Sequence, residues 1–121
     1  MNLSPKRVLR ILALAAAIST SLAAGAPADE APRVITIAAK RFEFSPNQLT
    51  LKKGQPVKIV VTSEDVTHGF FSRALKIDAD LTPGQTVEVP LTPTAAGTYT
   101  IICDHFCGAQ HGNMKLTVVV E

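Results

Sequence analysis

Apolar and polar residues alternate over short segments of the chain from residue 34 onward, and these segments are rich in Val, Ile and Thr. Such alternation is typical of half-buried β-strands. It predicts six strands, which cover residues 34–39, 48–52, 57–63, 86–91, 98–103 and 114–121. Residues that favour turns lie between them, at Lys53-Gly54, Pro83-Gly84 and Ala96-Gly97. No helix of normal length is predicted in this part of the chain.

The length and spacing of these strands predict an all-β fold in which two antiparallel sheets pack as a sandwich of about 90 residues. A chain of 121 residues has room for one such domain. The segment TPTAAG, residues 92–97, is long enough to cross from one sheet to the other.

The first 28 residues follow a different pattern, that of a secretory signal peptide. Three basic residues within the first ten positions precede the apolar segment ILALAAAI and the small residues of SLAAGAPA. This order is typical of such signals, and cleavage after Ala28 or Ala23 satisfies the small-residue rule. We therefore expect a signal peptide at residues 1–28 and a single domain at residues 29–121.

The alternative is that this segment is retained as a membrane anchor, since its apolar stretch just reaches the roughly 18 to 20 residues needed to span a bilayer. A cleaved protein would be periplasmic, and an anchored one would face the periplasm from the inner membrane. Without residues 1–28, the 12 basic and 10 acidic groups become 9 and 10, so the net charge changes from +2 to −1. The remaining chain has no basic patch with interleaved aromatic residues, so we do not expect nucleic acid as a partner.

The segment CDHFCGAQHGNM joins the last two predicted strands and concentrates the potential metal ligands of the protein. It contains both cysteines, two of the three histidines and the only methionine besides Met1. The candidate ligands are Cys103, Cys107, His111 and Met114. Two thiolates, an imidazole and a thioether form a soft ligand set, which favours copper because methionine is a poor ligand for zinc and hard cations prefer oxygen.

A further strong ligand has to come from elsewhere in the chain, and His68 in SEDVTHGFF is the candidate. It lies at a junction between predicted strands, so a sandwich could bring it beside the loop. Two other interpretations of the loop remain open. Two nearby cysteines in an exported protein often form a disulfide, and two Cys with two His can bind structural zinc. The zinc interpretation leaves Met114 without a role.

The spacing of these residues resembles that of a known copper domain. The motifs are Cys103-x-x-x-Cys107-Gly108-x-x-His111-x-x-Met114 and, upstream, Asp65-Val66-x-His68-Gly69-Phe70. Together they resemble the binuclear copper (CuA) site of cytochrome c oxidase subunit II. The stretches RFEFSPNQLTLKKGQPV (41–57) and LTPGQTVEVPLTPTAAGTYTIIC (81–103) are similar to the same cupredoxin family. The resemblance covers essentially the whole chain after the predicted signal peptide.

This resemblance implies a Greek-key β-sandwich that holds two copper ions. Cys103 and Cys107 would bridge the two ions, His68 and His111 would each bind one, and Met114 would bind weakly. Two ions that share two thiolates can spread one electron over both metals, so electron exchange is fast.

Position 105 departs from the family. Its backbone carbonyl would face the copper centre, and family members usually carry a carboxylate or carboxamide side chain there. This chain has His105 instead, so we include His105 among the candidate metal ligands and leave the role of its ring open. Phe106 fits the apolar position that shields such a site.

The function that follows is electron transfer. We expect an electron carrier and not an enzyme by itself, because protein ligands would fill the metal site and no residues are arranged for nucleophilic or acid/base catalysis. Its partners would be redox proteins such as a cytochrome c or a terminal oxidase or reductase. Members of the subunit II family carry one or two membrane anchors and often an aromatic patch with tryptophan, whereas this chain has no tryptophan. If the predicted signal peptide is removed, we expect a free-standing relative of subunit II and not an oxidase subunit.

Two alternatives use the same ligands. A periplasmic copper-delivery protein would bind copper and hand it to an acceptor. A mononuclear blue-copper protein would use His68, Cys107, His111 and Met114, and would leave Cys103 without a role.

Overall fold

Nine strands run through residues 32–121, the part of the chain that the computed structural model describes. They are β1 (Arg33–Lys40), β2 (Glu43–Ser45), β3 (Gln48–Leu51), β4 (Val57–Ser63), β5 (His68–Ser72), β6 (Ile77–Leu81), β7 (Thr86–Leu91), β8 (Gly97–Ile102) and β9 (Lys115–Val120). The one helical element among these residues is a 3-10 turn at His111–Asn113. The predicted signal peptide lies outside the described residues. Within residues 32–121, no helix is long and apolar enough to cross a membrane.

The strands form two sheets, with the orders β2-β1-β4-β7 and β3-β9-β8-β5-β6. The predicted all-β sandwich is confirmed, but its sheets are mixed and not wholly antiparallel. β1 pairs with β4 in parallel, and β3 pairs with β9 in parallel. No hairpin joins the strands of either pair, because other strands lie between them along the chain: β2 and β3 between β1 and β4, and β4 to β8 between β3 and β9. Their relative direction is therefore not restricted to antiparallel.

The core lies between the two sheets and follows from the alternation along the strands. In β4, the odd-numbered residues from Val57 to Ser63 are buried and the even-numbered ones are half-buried. Leu116 and Val118 of β9 bury their side chains fully from the opposite sheet. Each fully buried Val, Leu or Ile contributes about 1.5–3 kcal/mol relative to an exposed one.

Three strands, β2, β5 and β6, were not predicted from the sequence. β5 has the sequence HGFFS and no alternation, because four of its five residues are buried. Its Phe70 packs edge to face against Phe44 of β2, with ring centroids 5.5 Å apart, and so joins the two sheets. A short strand that is covered on both faces lacks the period-2 pattern on which the prediction depends.

The loop at residues 103–114 is confirmed as the connection between β8 and β9. The last pair of opposite residues in the β8–β9 ladder before the loop is Ile102 and Lys115. The Cys103 N–H donates to the Met114 carbonyl at 3.2 Å, which extends the pairing of the strands by one step. The first and last candidate ligands of the loop are therefore held opposite each other at the end of a rigid β-ladder.

Candidate metal centre

The sulfur atoms of the two cysteines meet at the base of the loop. Cys103 Sγ lies 3.8 Å from Cys107 Sγ, and both side chains are buried. This separation is well beyond the roughly 2.05 Å of a disulfide bond, and both cysteines are free. The chain therefore presents two buried thiols side by side.

Each sulfur has a different imidazole beside it. The Nδ1 atom of His68 lies 3.9 Å from Cys103 Sγ, and the Nδ1 atom of His111 lies 3.6 Å from Cys107 Sγ. The Sδ atom of Met114 lies 3.9 Å from Cys107 Sγ. The fold thus brings together all five residues that the sequence motif singled out, although 35 positions separate His68 from Cys103.

His68 is the first residue of β5, and Asp65 fixes its orientation. The side chain of His68 is fully buried, and its Nε2 lies 2.7 Å from Asp65 Oδ1. Burial by itself would raise the pKa of Asp65, but hydrogen bonds from the Arg41 N–H, the His68 ring and the Val66 N–H outweigh it and lower the pKa to about 2. An ionised carboxylate only accepts hydrogen bonds, so Nε2 of His68 is the donor to Asp65, and Nδ1 is the ring nitrogen on the side of Cys103.

The thiol of Cys107 holds its proton strongly in the metal-free protein. Burial, followed by the hydrogen bond and the charge of Cys103, raises its pKa to about 11, although the positive charge of Arg41 opposes the shift. Because soft metals bind the thiolate, a metal ion has to displace this proton.

The backbone and the ring of His105 have different surroundings. The carbonyl oxygen of His105 accepts a hydrogen bond from the Cys103 thiol at 3.1 Å, so it faces the sulfur pair. The imidazole is exposed, and its Nδ1 lies 3.0 Å from the Phe106 carbonyl oxygen. The structure therefore brings the carbonyl of position 105 to the cluster and leaves the ring at the surface.

Phe106 lies at the surface beside His111. Its side chain is 75% exposed, and its ring centroid is 5.9 Å from that of His111. A shallow cavity of about 190 Å³ adjoins it, lined by Arg41, Val66, Thr67, His105, Phe106, Cys107 and Gly108.

Two residues that support the centre were not assigned a role from the sequence. The Gly69 N–H donates to Cys103 Sγ at 3.3 Å, and a Cβ at this position would lie 2.7 Å from the Asp104 nitrogen. Arg41 Nε donates to the Cys107 carbonyl oxygen at 2.8 Å. No sequence signal indicates the second contact, since 66 positions separate the two residues.

The donor atoms fit a soft metal. His68, Cys103 and Cys107 bring potential ligand atoms within 4.8 Å of one another, and all three residues are buried. His111 and Met114 complete the set beside Cys107. A group of sulfur and imidazole donors without a carboxylate among them is suited to copper, and the thioether distinguishes it from an ordinary zinc site.

Comparison with known proteins agrees with this chemistry. The family model of the cupredoxin-like domain matches residues 9–120. Cytochrome c oxidase subunit 2 of Thermus thermophilus is 34% identical over 87 residues, which make up 72% of this chain and 64% of that protein. The chain thus spans less than two thirds of the length of this relative.

Solved structures share the fold. The periplasmic domain of subunit II of cytochrome oxidase from Bradyrhizobium japonicum has a TM-score of 0.69 at 19% identity, over 76% of this chain and 86% of that one. Auracyanin A, a blue copper protein of Chloroflexus aurantiacus, has a TM-score of 0.61 at 22% identity, over 75% of this chain and all of that one. The relatives support copper as the metal. With its β-sandwich, its sulfur and imidazole donors and a family match over almost its whole length, this chain belongs to the cupredoxin-like domain family.

Proposed function

We propose that the protein is an exported electron carrier with a binuclear copper centre. The observation that carries this proposal is the pair of cysteine sulfurs 3.8 Å apart, each with its own imidazole nitrogen within 4 Å. A mononuclear site needs one cysteine, whereas this arrangement provides two pairs, each of one cysteine and one histidine.

The ligand roles follow from the contacts. Cys103 and Cys107 would hold the metal as shared thiolates, with His68 on one side and His111 on the other. The sulfur of Met114 lies 3.9 Å from Cys107 Sγ, so Met114 would bind on the Cys107 side. The carbonyl oxygen of His105 is the remaining donor, on the Cys103 side. When bound, a copper pair with these ligands gains or loses one electron with little change in its bonds.

The chain supplies a closed environment for this exchange. His68, Cys103, Cys107 and Met114 are each at most 4% exposed, so they exclude water from the sulfur pair. Protein donors occupy the surroundings of both sulfurs, which leaves no evident position for a substrate. This favours electron transfer over catalysis on a bound molecule.

His111 is the one half-buried member of the five donors and lies closest to solvent. We therefore propose that electrons enter or leave at this edge, beside the exposed ring of Phe106. The partner would be a small redox protein such as a cytochrome c, or a terminal oxidase or reductase. The proposed location is the periplasm, as for the related domain of Bradyrhizobium japonicum.

Copper titration of the reduced, metal-free protein tests the proposal. We expect two copper ions per chain, a purple product and reversible one-electron reduction. Binding of one ion per chain, with a blue colour, would support the mononuclear alternative. Rapid transfer of copper to an acceptor apoprotein, without a stable redox cycle, would support copper delivery instead.

A further inference from the structure

The corner between β1 and β2 contacts the ligand loop through a side chain that the donor set does not include. Arg41 and Phe42 form this corner, between Lys40 at the end of β1 and Glu43 at the start of β2. Arg41 Nε donates to the Cys107 carbonyl oxygen at 2.8 Å in a partly buried contact. A hydrogen bond from a charged guanidinium is shorter and stronger than one between neutral groups.

The main chain of the same residue reaches the other side of the donor set. The Arg41 N–H donates to Asp65 Oδ2 at 2.7 Å. The second oxygen of that carboxylate accepts from His68 Nε2, also at 2.7 Å. Arg41 is therefore linked directly to Cys107 and, through one carboxylate, to His68.

Phe42 supports the loop by direct packing. Gly108 has a φ of +144°, and a Cβ at this position would lie 2.7 and 2.8 Å from two ring carbons of Phe42. The backbone after Cys107 therefore lies directly on the Phe42 ring, and both residues of the corner fix the same point of the loop.

We propose that Arg41 is a positioning residue of the metal centre, which holds the Cys107 side of the loop at a fixed distance from the His68 side. This inference rests on the proposed function. It has a clear physical basis, because the Cys107 carbonyl belongs to the backbone that carries one sulfur of the pair. Outer contacts of this kind commonly change metal affinity by roughly 10- to 100-fold.

Two substitutions separate the side chain from the main chain. Arg41→Gln removes the charge and the guanidinium, and Arg41→Lys keeps the charge with a different donor geometry. Both keep the backbone N–H that donates to Asp65. Arg33→Gln is the matched control, since Arg33 also contacts a backbone carbonyl, that of Thr50 at 3.5 Å. Arg33 lies far from the metal centre, because seven residues of β1, or about 23 Å, separate it from Lys40 at the other end of the strand.

Two readouts apply to the copper-loaded protein. We expect Arg41→Gln to release copper to a cuprous chelator roughly 10- to 100-fold faster than the unaltered protein, with a lower reduction potential because a nearby cation is lost. Arg41→Lys should give intermediate values, and Arg33→Gln should match the unaltered protein. A third readout needs no copper: amide hydrogen exchange across residues 107–114 should be faster in Arg41→Gln.

The inference is overturned if Arg41→Gln matches Arg33→Gln in release rate, potential and loop exchange. It is also overturned if Arg41→Gln only lowers the melting temperature while these three properties stay unchanged. The copper content of the unaltered protein tests the proposed function separately. If that protein fails to bind two ions, amide exchange in the metal-free variants still decides whether Arg41 positions the loop.

Discussion

The sulfur atoms of Cys103 and Cys107 lie 3.8 Å apart at one end of the sandwich, where both side chains are buried, although no bond joins them. The loop between β8 and β9 carries both, and β5 brings His68 to the same place from 35 positions away. The donor set is thus built from a compact loop and one distant strand, so its geometry depends on the packing of the five-stranded sheet.

Substitution of either cysteine by serine should abolish the proposed two-ion centre. In Cys103→Ser and in Cys107→Ser, one of the two shared sulfurs is lost, so we expect at most one copper ion per chain and no purple colour. Metal analysis and absorption spectra measure both effects. A Cys103→Ser protein that keeps a strong blue site, while Cys107→Ser loses it, would support a mononuclear centre.

Gly69→Ala should destabilise the protein. A Cβ at position 69 would lie 2.7 Å from the Asp104 nitrogen and 2.8 Å from the His105 nitrogen, so the loop has to move away from β5. Overpacking of this kind costs about 1–3 kcal/mol of unfolding free energy. Denaturant unfolding of the metal-free protein measures the loss.

The control for that experiment is Gly112→Ala, in the 3-10 turn of the same loop. A Cβ there would have no neighbour within 4 Å. We expect its unfolding free energy to stay close to that of the unaltered protein. Equal stability of the two alanine variants would contradict the close approach of Gly69 to the loop.

Asp65 should contribute to the acid dependence of stability. Its pKa in the folded protein is about 2, below the value of about 3.9 for an unfolded chain. The stabilisation is therefore fully present above about pH 4 and is lost as the pH falls towards 2. The unfolding free energy of the metal-free protein can be measured with denaturant between these pH values. As the pH falls, it should decrease less for Asp65→Asn than for the unaltered chain. Identical pH profiles would contradict the depressed pKa.

Cys107 should react slowly with alkylating reagents at neutral pH in the metal-free protein. Burial, with the neighbouring Cys103, raises its pKa to about 11, whereas a free cysteine has a pKa of about 8.5. Iodoacetamide labelling followed by mass spectrometry gives the rate at this position, and the rate should keep rising up to about pH 11. The same measurement in urea is the control and should show an inflection near pH 8.5. A native profile that matches the urea profile would contradict the raised pKa.

The sequence predicted the parts of the molecule that depend on local patterns. Alternation located β1, β3, β4, β7, β8 and β9, and the spacing of Cys103, Cys107, His111 and Met114 identified a donor set that the fold brings together. It did not locate β5, because burial on both faces removes the alternation. Nor did it indicate parallel pairing, which depends on where the chain crosses between sheets.

The contacts of Arg41 could not be predicted for a different reason. Its side chain meets the Cys107 carbonyl across 66 positions, and any residue type offers the same backbone oxygen. A contact from a side chain to a distant main chain therefore leaves no pattern in a single sequence.

The electron-spin spectrum of the copper-loaded protein tests the central claim most directly. A centre that shares one unpaired electron between two ions, through Cys103 and Cys107, predicts hyperfine splitting from two equivalent copper nuclei, with two copper ions per chain. Splitting from a single copper nucleus, with one ion per chain, would contradict the account.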